Sequence, residues 1–250
     1  MESPGYFGFY SLLNFLNLRA VEIPSSPDTG FSVDSLRKTI ERKERVTAVL
    51  LCANFSNPTG AAMPEEEKRR LASLCGERGI PVIEDDIYGD LSFGPRPAAL
   101  KSHDHDGIIY VSSLSKMLAP GYRIGWAAGG RHHQDLLRCH GMAALSVPLP
   151  NQTALALYLE DGGLKGHLKT IRRRYAENMA LARSAVARYF PAGTGTGNPL
   201  GGHFLWLRLP GRCDAGGIAA AALRRGISVA PGSIFSSRGH YGNHLRLNTA

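Results

Sequence analysis

Residues 112–126 have the sequence Ser-Ser-Leu-Ser-Lys-Met-Leu-Ala-Pro-Gly-Tyr-Arg-Ile-Gly-Trp. The stretch before it, Ile108–Val111, is apolar and β-branched, which predicts a buried strand. Pro120-Gly121 predicts a turn, and residues 124–128 predict a second strand. The pattern therefore places Lys116 where a buried strand ends, partly removed from water. A lysine in such a place loses some of its preference for the charged form, and its free amine can attack a carbonyl.

Composition indicates a globular protein without a membrane segment. The chain has 250 residues, of which 43% are apolar and 20% charged, enough for one large domain or two unequal ones. No apolar run approaches the roughly 20 residues of a membrane span. The first residues, Met-Glu-Ser-Pro-Gly-Tyr, lack the basic and apolar segments of a signal peptide. We therefore expect a cytoplasmic protein.

The net charge of +8 raises the possibility of nucleic-acid binding, but the basic residues are dispersed. Their densest run, Arg172-Arg173-Arg174, falls in a stretch with helical spacing and is interpreted as a solvated helix face. The four cysteines form no C-x-x-C pair, which favours reduced structural thiols.

Polar residues follow two further predicted strands. Val46–Cys52 is a nearly continuous apolar run, and Asn57-Pro58-Thr59-Gly60 comes shortly after it. Residues 80–83 form the next such run, and Glu84-Asp85-Asp86 follows directly. Strands that alternate with helical patterns predict an α/β domain with a mainly parallel sheet. Ligands bind at the carboxyl ends of such strands, so Asn57 is a candidate site residue. Carboxylates at the end of a buried strand are costly unless they are paired or solvated.

Other elements follow from spacing and capping signals. Residues 18–23 alternate like a short strand, and Ser32 is a plausible cap for a helix that runs through Lys43. We predict further helices at 64–78, 135–146, 151–159, 164–189 and 214–225, and further strands at 203–209, 227–230 and 244–248. The glycine-rich stretch 193–197 is interpreted as a flexible connection. The large domain is predicted to span residues 1–164 and a smaller α+β domain residues 165–250.

The Ser-x-Ser-Lys and Pro-Gly-x-Arg-Ile-Gly motifs resemble the lysine segment of fold-type I enzymes that use pyridoxal 5'-phosphate, the class I/II aminotransferases. Ala-Pro-Gly-x-Arg-Ile-Gly-Trp and Gly-Gly-His-Phe-Leu-Trp most resemble the aminotransferase-like domain of MocR-type regulators in the GntR superfamily. The resemblance covers nearly the whole chain. It implies the fold of these transferases, pyridoxal phosphate as cofactor, and transfer of amino groups between amino acids and 2-oxo acids.

The resemblance also implies roles around the cofactor ring. Tyr6 would lie flat against the pyridine, and Asp85 would keep the ring nitrogen protonated. Asn57 and Tyr88 would hydrogen-bond the phenolic oxygen. Asp86 receives no role from the resemblance.

Four further residues match the family's motifs. Lys116 would form the internal aldimine and then move a proton to and from the substrate's α-carbon. Ser113 and Arg123 would bind the phosphate, and Arg246, in Leu-Arg-Leu-Asn, would bind the substrate carboxylate. The family's homodimeric state is carried over as an expectation.

The same resemblance supports an alternative. The chain would then be the cofactor- or amine-sensing domain of a MocR-type transcription regulator, without the DNA-binding domain, and would show no sequence-specific DNA binding by itself. Compared with the family, we expect it to be partial at both ends, without the phosphate-binding glycine turn and the closing helices, and it would be inactive if that loss abolished cofactor binding.

Two rival motifs receive little support. Ser113–Lys116 fits the Ser-x-x-Lys motif of penicillin-binding proteins, but the sequence has neither Ser-Asp-Asn nor Lys-Thr-Gly. His103-Asp104-His105-Asp106 contains metal-ligand residue types, but neighbours in one loop seldom converge on one ion. No metal site is predicted.

Overall fold

The structure is a computed structural model that describes residues 1–42, 45–211 and 213–250. Its eight α-helices within these ranges are α1 Phe7–Phe15, α2 Val33–Glu41, α3 Glu65–Glu77, α4 Leu114–Met117, α5 His133–Ala144, α6 Leu149–Glu160, α7 Gly163–Tyr189 and α8 Ala215–Leu223. Its strands within the same ranges are β1 Glu2–Ser3, β2 Ile23–Ser26, β3 Gly30–Phe31, β4 Val49–Leu51, β5 Val82–Asp85, β6 Ile108–Ser113, β7 Gly125–Ala128, β8 Gly195–Thr196, β9 Phe204–Arg208, β10 Ala230–Pro231 and β11 His244–Asn248.

Two four-stranded sheets organise these elements. The first has the order β4-β5-β6-β7, in which β4, β5 and β6 are parallel and β7 is antiparallel to β6. The second has the order β10-β11-β9-β8 and is antiparallel throughout. Strands β1, β2 and β3 form a small third sheet. A mainly parallel sheet followed by an antiparallel one agrees with the predicted α/β and α+β architecture.

Local sequence accounts for where the main helices begin. Ser32 caps α2 by accepting a hydrogen bond of 3.2 Å from the backbone N–H of Ser35, and Asp214 caps α8 through Gly216. Helix α3 follows Pro64 and carries three glutamates in its first turn, where negative charge is favourable. The predicted end of α2, Lys43, lies outside the described residues.

The apolar core places the site between the two sheets. One cluster, which includes Cys52, Tyr88, Leu114 and Met117, joins the carboxyl ends of the parallel strands to Phe204 of β9. Partly buried residues of α7 pack against this cluster. The parallel strand ends and the antiparallel sheet are therefore fixed relative to each other by buried apolar contact.

Several predicted elements are shorter than expected or wrong. Residues 18–22 are not a strand, because the partner β1 is only two residues long and its pairing begins at Ile23. Ile227 is exposed and the strand predicted there is confined to Ala230–Pro231. The predicted connection 193–197 contains β8, which pairs with β9. Strand β4 begins at Val49, three residues later than predicted.

Candidate active site

A cavity of about 300 Å³ lies between the parallel strand ends and the antiparallel sheet. Six of the residues predicted from the sequence line it: Tyr6, Asn57, Asp85, Tyr88, Lys116 and Arg246. They come from separate parts of the chain, from the start of α1 to β11. The structure thus brings together residues that the sequence separates by up to 240 positions (246 − 6).

Asp85 is the last residue of β5, and its carboxylate is incompletely satisfied. The side chain lines the cavity, and its Oδ1 atom is buried with no hydrogen-bond partner in the described part of the chain. Burial raises the pKa of Asp85 to about 6, against the lowering effect of a hydrogen bond from the Ile87 backbone. A buried carboxylate oxygen without a donor is costly. The site therefore suits a ligand that brings an N–H donor to this wall.

Asn57 and Arg246 are joined across the cavity. Arg246 Nη1 donates a hydrogen bond of 2.9 Å to Asn57 Oδ1. The guanidinium also packs on the rings of Phe204 and Phe235, 4.5 and 5.2 Å from their centroids. Burial lowers the pKa of Arg246, and its Nε has no partner among the residues described. The side chain is held in place and keeps unused donors for an anionic ligand.

Tyr88 and Tyr6 supply the aromatic part of the wall. Tyr88 is buried, and burial raises the pKa of its phenol, so its hydroxyl stays protonated and can donate. Tyr6 is 39% exposed, stands just before α1, and packs against the rings of Phe7 and Phe9. A flat ligand between Tyr6 and the strand ends would gain ring contact.

Lys116 lies in α4, the single helical turn that follows β6. It lines the same cavity as Asp85, which ends the neighbouring parallel strand. The expectation that Lys116 is partly removed from water is wrong: the residue is exposed. The reason is that α4 turns Leu114 and Met117 toward the core, and Lys116 does not share their buried face.

Ser113 and Arg123 do not line this cavity and form an adjacent polar group. Ser113 Oγ donates to Ser115 Oγ at 2.8 Å and accepts from the Ser115 backbone N–H at 2.9 Å. Arg123 Nη1 donates to Ser115 Oγ at 3.5 Å. Arg123 is exposed and has φ 55°, which turns the backbone back toward β7. Ser115, which the prediction did not single out, connects the two residues one position before Lys116.

Sequence reasoning missed several lining residues, of which Glu2, His203 and Phe204 are the most distinctive. Glu2 is buried and accepts hydrogen bonds from the Cys52 backbone and Ser56, and burial raises its pKa to about 8. Burial also lowers the pKa of His203 to about 4, so its ring is neutral at neutral pH. The Gly-Gly-His-Phe motif contains His203, but it was interpreted as the start of a strand and not as part of a site.

The remaining candidates give no second site. Within the described ranges no group of three or more His, Cys, Asp or Glu is arranged to hold a metal ion. His103 instead contacts Glu65 at 2.8 Å, and Asp104 accepts hydrogen bonds from the backbone of its own loop. No described helix combines the length and the apolarity needed to cross a bilayer.

These groups define the chemistry that the cavity can support. An amine and a carboxylate face one space, with an amide, a phenol and a guanidinium around it. The arrangement suits a flat, nitrogen-containing ring that carries an electrophilic carbonyl, together with a small carboxylate beside Arg246. The nearby Ser113, Ser115 and Arg123 are of the residue types that bind phosphate.

Comparison with known proteins gives concordant results. The chain is 38% identical to the "uncharacterized HTH-type transcriptional regulator YjiR" of Escherichia coli, over all of this chain and 53% of that protein. It is 32% identical to 2-aminoadipate transaminase of Thermus thermophilus, over all of this chain and 64% of the enzyme. The chain thus spans between half and two thirds of the length of these relatives.

A solved structure extends the similarity to the fold. The α-aminoadipate aminotransferase LysN of T. thermophilus, complexed with N-(5'-phosphopyridoxyl)-L-leucine, superimposes with a TM-score of 0.93 at 32% identity. The match covers all of this chain and 65% of LysN. It confirms the predicted transferase-like α/β fold. The family model for aminotransferase class I and II matches residues 1–250. The chain therefore belongs to the aminotransferase class I and II family.

Proposed function

We propose that this chain binds pyridoxal 5'-phosphate and transfers amino groups between amino acids and 2-oxo acids. The observation that carries the proposal is the buried, donor-free Oδ1 of Asp85, which faces the cavity that Lys116 also lines. The protonated ring nitrogen of the cofactor is the kind of donor that this oxygen lacks. Family membership and the fold shared with LysN support the same cofactor.

Pyridoxal phosphate, when bound, supplies a carbonyl and a ring that withdraws electrons from the substrate's α-carbon. The proposed role of Asp85 is to hold a proton on the ring nitrogen. Lys116 Nζ would act first as the nucleophile toward the carbonyl and then as the base that takes the α-carbon proton. Because Lys116 is exposed and lines the cavity, an incoming substrate amine could reach it.

The other residues would bind and orient. Asn57 and Tyr88 would donate to the phenolic oxygen, and Tyr6 would cover one ring face. Arg246 would bind the substrate's α-carboxylate with the donors it does not share with Asn57. The polar group of Ser113, Ser115 and Arg123 would bind the phosphate, from a position one residue before Lys116 in the chain. Of these roles, that of Ser115 is assigned from its contacts alone.

The experiment is a titration of the chain with pyridoxal phosphate followed by a panel of amino donors. Enzymatic function predicts saturable binding, and release of the corresponding 2-oxo acid from at least one donor. A chain that binds no pyridoxal phosphate would contradict the proposal outright. Arg208→Gln is a suitable control, since Arg208 is exposed on β9 and does not line the cavity.

A second candidate function is favoured by the match to YjiR over the whole chain. The chain would then be the ligand-sensing region of a transcription regulator, in which binding shifts a conformational equilibrium. This function predicts that donors change the absorbance of the bound cofactor while little or no 2-oxo acid is released. It also predicts no sequence-specific DNA binding by this chain alone.

Three further predictions accompany the proposal. The division into residues 1–164 and 165–250 can be checked by limited proteolysis, and a homodimer by sedimentation. A cytoplasmic location is supported by four free cysteines, as is usual in a reducing compartment.

A further inference from the structure

Asp85 and Asp86 are neighbours in sequence, but their side chains lie on opposite faces of the sheet. Burial along this segment alternates: Val82, Glu84 and Asp86 are fully buried, while Asp85 lines the cavity. Successive side chains in a strand point to opposite faces, so Asp86 lies behind the cavity wall. A fully buried carboxylate outside the cavity calls for an explanation, because burial of a charge is costly unless it is paired.

The carboxylate of Asp86 is satisfied by three donors from other segments. Asn54 Nδ2 donates to Oδ1 at 2.9 Å, and Arg96 Nη2 and Tyr110 OH donate to Oδ2 at 2.5 and 3.2 Å. Asn54 is fixed in turn by Lys68, a fully buried lysine whose Nζ donates to Asn54 Oδ1 at 2.7 Å. The network is therefore anchored in α3 as well as in the sheet.

The backbone of Asp86 is bound to the next strand. Its N–H donates to the carbonyl of Val111 at 2.9 Å, and Ser112 Oγ donates to its carbonyl at 3.0 Å. Ser112 lies four residues before Lys116, and Asn54 lies three residues before Asn57. Asp86 thus links all three parallel strands: it directly follows β5, its side chain binds Asn54 in the segment after β4, and it contacts β6 through Tyr110 and Ser112.

From this connectivity we propose that Asp86 is a positioning residue, which fixes Asn57, Asp85 and Lys116 relative to one another from behind the sheet. Each of these cavity residues follows or ends one of the three strands that Asp86 joins. The proposal builds on the proposed cofactor site but concerns the geometry of the chain itself. It predicts that changes at Asp86 alter cofactor binding although the side chain does not line the cavity.

The test is Asp86→Asn. All three partners of the carboxylate are donors, so an amide of the same shape must place its NH₂ group against one of them. We expect the Kd for pyridoxal phosphate to rise about tenfold, because small displacements of site residues have large effects. We also expect the pH midpoint of the bound cofactor's absorbance change to rise. A displaced Asp85 would hold the proton on the ring nitrogen less well, and the ring would then carry less positive charge. Less positive charge on the ring would raise the pKa of the nitrogen that links the cofactor to Lys116.

Glu84→Gln is the matched control. Glu84 is in β5, two residues before Asp86 and on the same face, is fully buried, and accepts from the backbone N–H groups of Leu100 and Lys101 at 2.6 and 2.8 Å. Its amide variant meets the same conflict with donors, but its partners do not belong to the strands that carry the cavity residues. Both variants should lower the Tm, and only Asp86→Asn should change the Kd and the midpoint. Equal changes in both variants, or none in Asp86→Asn, would overturn the proposal.

Two additions keep the test decisive. If Asp86→Asn does not fold, Tyr110→Phe removes only one donor and should raise the Kd about two- to threefold; an unchanged Kd there would contradict the role. Hydrogen exchange in the cofactor-free chain is a separate readout, in which the amide of residue 86, bonded to the Val111 carbonyl, should exchange faster in Asp86→Asn than in Glu84→Gln. This readout stands even if the wild-type chain binds no pyridoxal phosphate, a result that would refute the proposed function alone.

Discussion

Arg246 Nη1 donates a hydrogen bond of 2.9 Å to Oδ1 of Asn57, a residue 189 positions earlier in the chain. The bond joins the antiparallel sheet to the end of a parallel strand across the cavity. It places the residue proposed for the substrate carboxylate next to one proposed for the cofactor's phenolic oxygen. The affinity for a ligand that binds both Asn57 and Arg246 should therefore depend on the relative position of the two sheets.

Arg246→Gln should weaken the binding of carboxylate ligands. The guanidinium lies between Phe204 and Phe235 and keeps Nε without a partner in the described chain, so a charged pair with a ligand would be largely desolvated. A charge-assisted bond of this kind corresponds to roughly ten- to a hundredfold in KM or Kd. Amino-donor titrations would measure it. Arg208→Gln is the control, and an equal loss in both variants would contradict the role of Arg246.

Arg123→Gln should weaken the binding of a ligand with a phosphate more than the binding of one without it. If Arg123 and Ser113 bind phosphate, the variant loses about tenfold in affinity for pyridoxal phosphate but little for pyridoxal. The ratio of the two Kd values removes any general effect on the cavity. An equal loss for both ligands would show that Arg123 supports the loop and does not bind phosphate.

Asp85→Asn should change the pH dependence of stability in the cofactor-free chain. The folded state raises the pKa of Asp85 from 3.8 to about 6 through burial, so it holds this proton more tightly than the unfolded state does. The wild-type free energy of unfolding therefore falls as the pH rises from about 4 to 6, because the unfolded state releases this proton more readily. Because asparagine does not ionise, the free energy of unfolding of the variant should exceed that of wild type by up to about 3 kcal/mol at pH 8 and differ little at pH 4.

Urea unfolding at both pH values would measure this difference. Asp28→Asn, at an exposed aspartate that does not line the cavity, is the matched control. With pyridoxal phosphate bound, wild type should be more stable than Asp85→Asn at pH 8, since Asp85 Oδ1 then has a partner. If the stability of the variant relative to wild type were the same at pH 4 and pH 8, Asp85 would not be a buried carboxylate with a raised pKa.

Tyr6 offers a test of ring contact. Tyr6→Phe keeps the aromatic face and should bind pyridoxal phosphate within about twofold of wild type. Tyr6→Ala should bind pyridoxal phosphate about tenfold more weakly, because it loses the roughly 0.5–1.5 kcal/mol of an aromatic pair together with the burial of the ring. Because Tyr6 is 39% exposed, neither change should lower the Tm substantially. Equal affinity in all three proteins would exclude stacking.

Much of this site could be predicted from local signals. The apolar runs before Asn57, Asp85 and Lys116 marked parallel strands, and parallel strands bring their carboxyl ends to one edge of the sheet. The alternation in residues 244–248 likewise predicted a strand, which is β11. These strand predictions succeeded because each depends on periodicity within a few residues. The place of Arg246 in the site was implied by the resemblance.

Other features depend on contacts that no local pattern contains. Lys116 is exposed because α4 buries Leu114 and Met117 instead, and residues 18–22 form no strand because β1 is only two residues long. Asp86 received no role from the sequence, yet its side chain points to the opposite face from Asp85 and meets donors from three other segments. His203 was missed because its partners, Tyr88 and Tyr175, are distant in sequence.

Lys116 is proposed to be the residue that joins pyridoxal phosphate. The most direct measurement is borohydride reduction of the chain with the cofactor, followed by peptide mass mapping, in wild type, Lys116→Ala and Lys169→Ala. Lys169 is exposed on α7 and serves as the control. The account predicts one phosphopyridoxyl adduct on Lys116 in wild type and Lys169→Ala, and none in Lys116→Ala. A stoichiometric adduct on another lysine, or its persistence in Lys116→Ala, would contradict it.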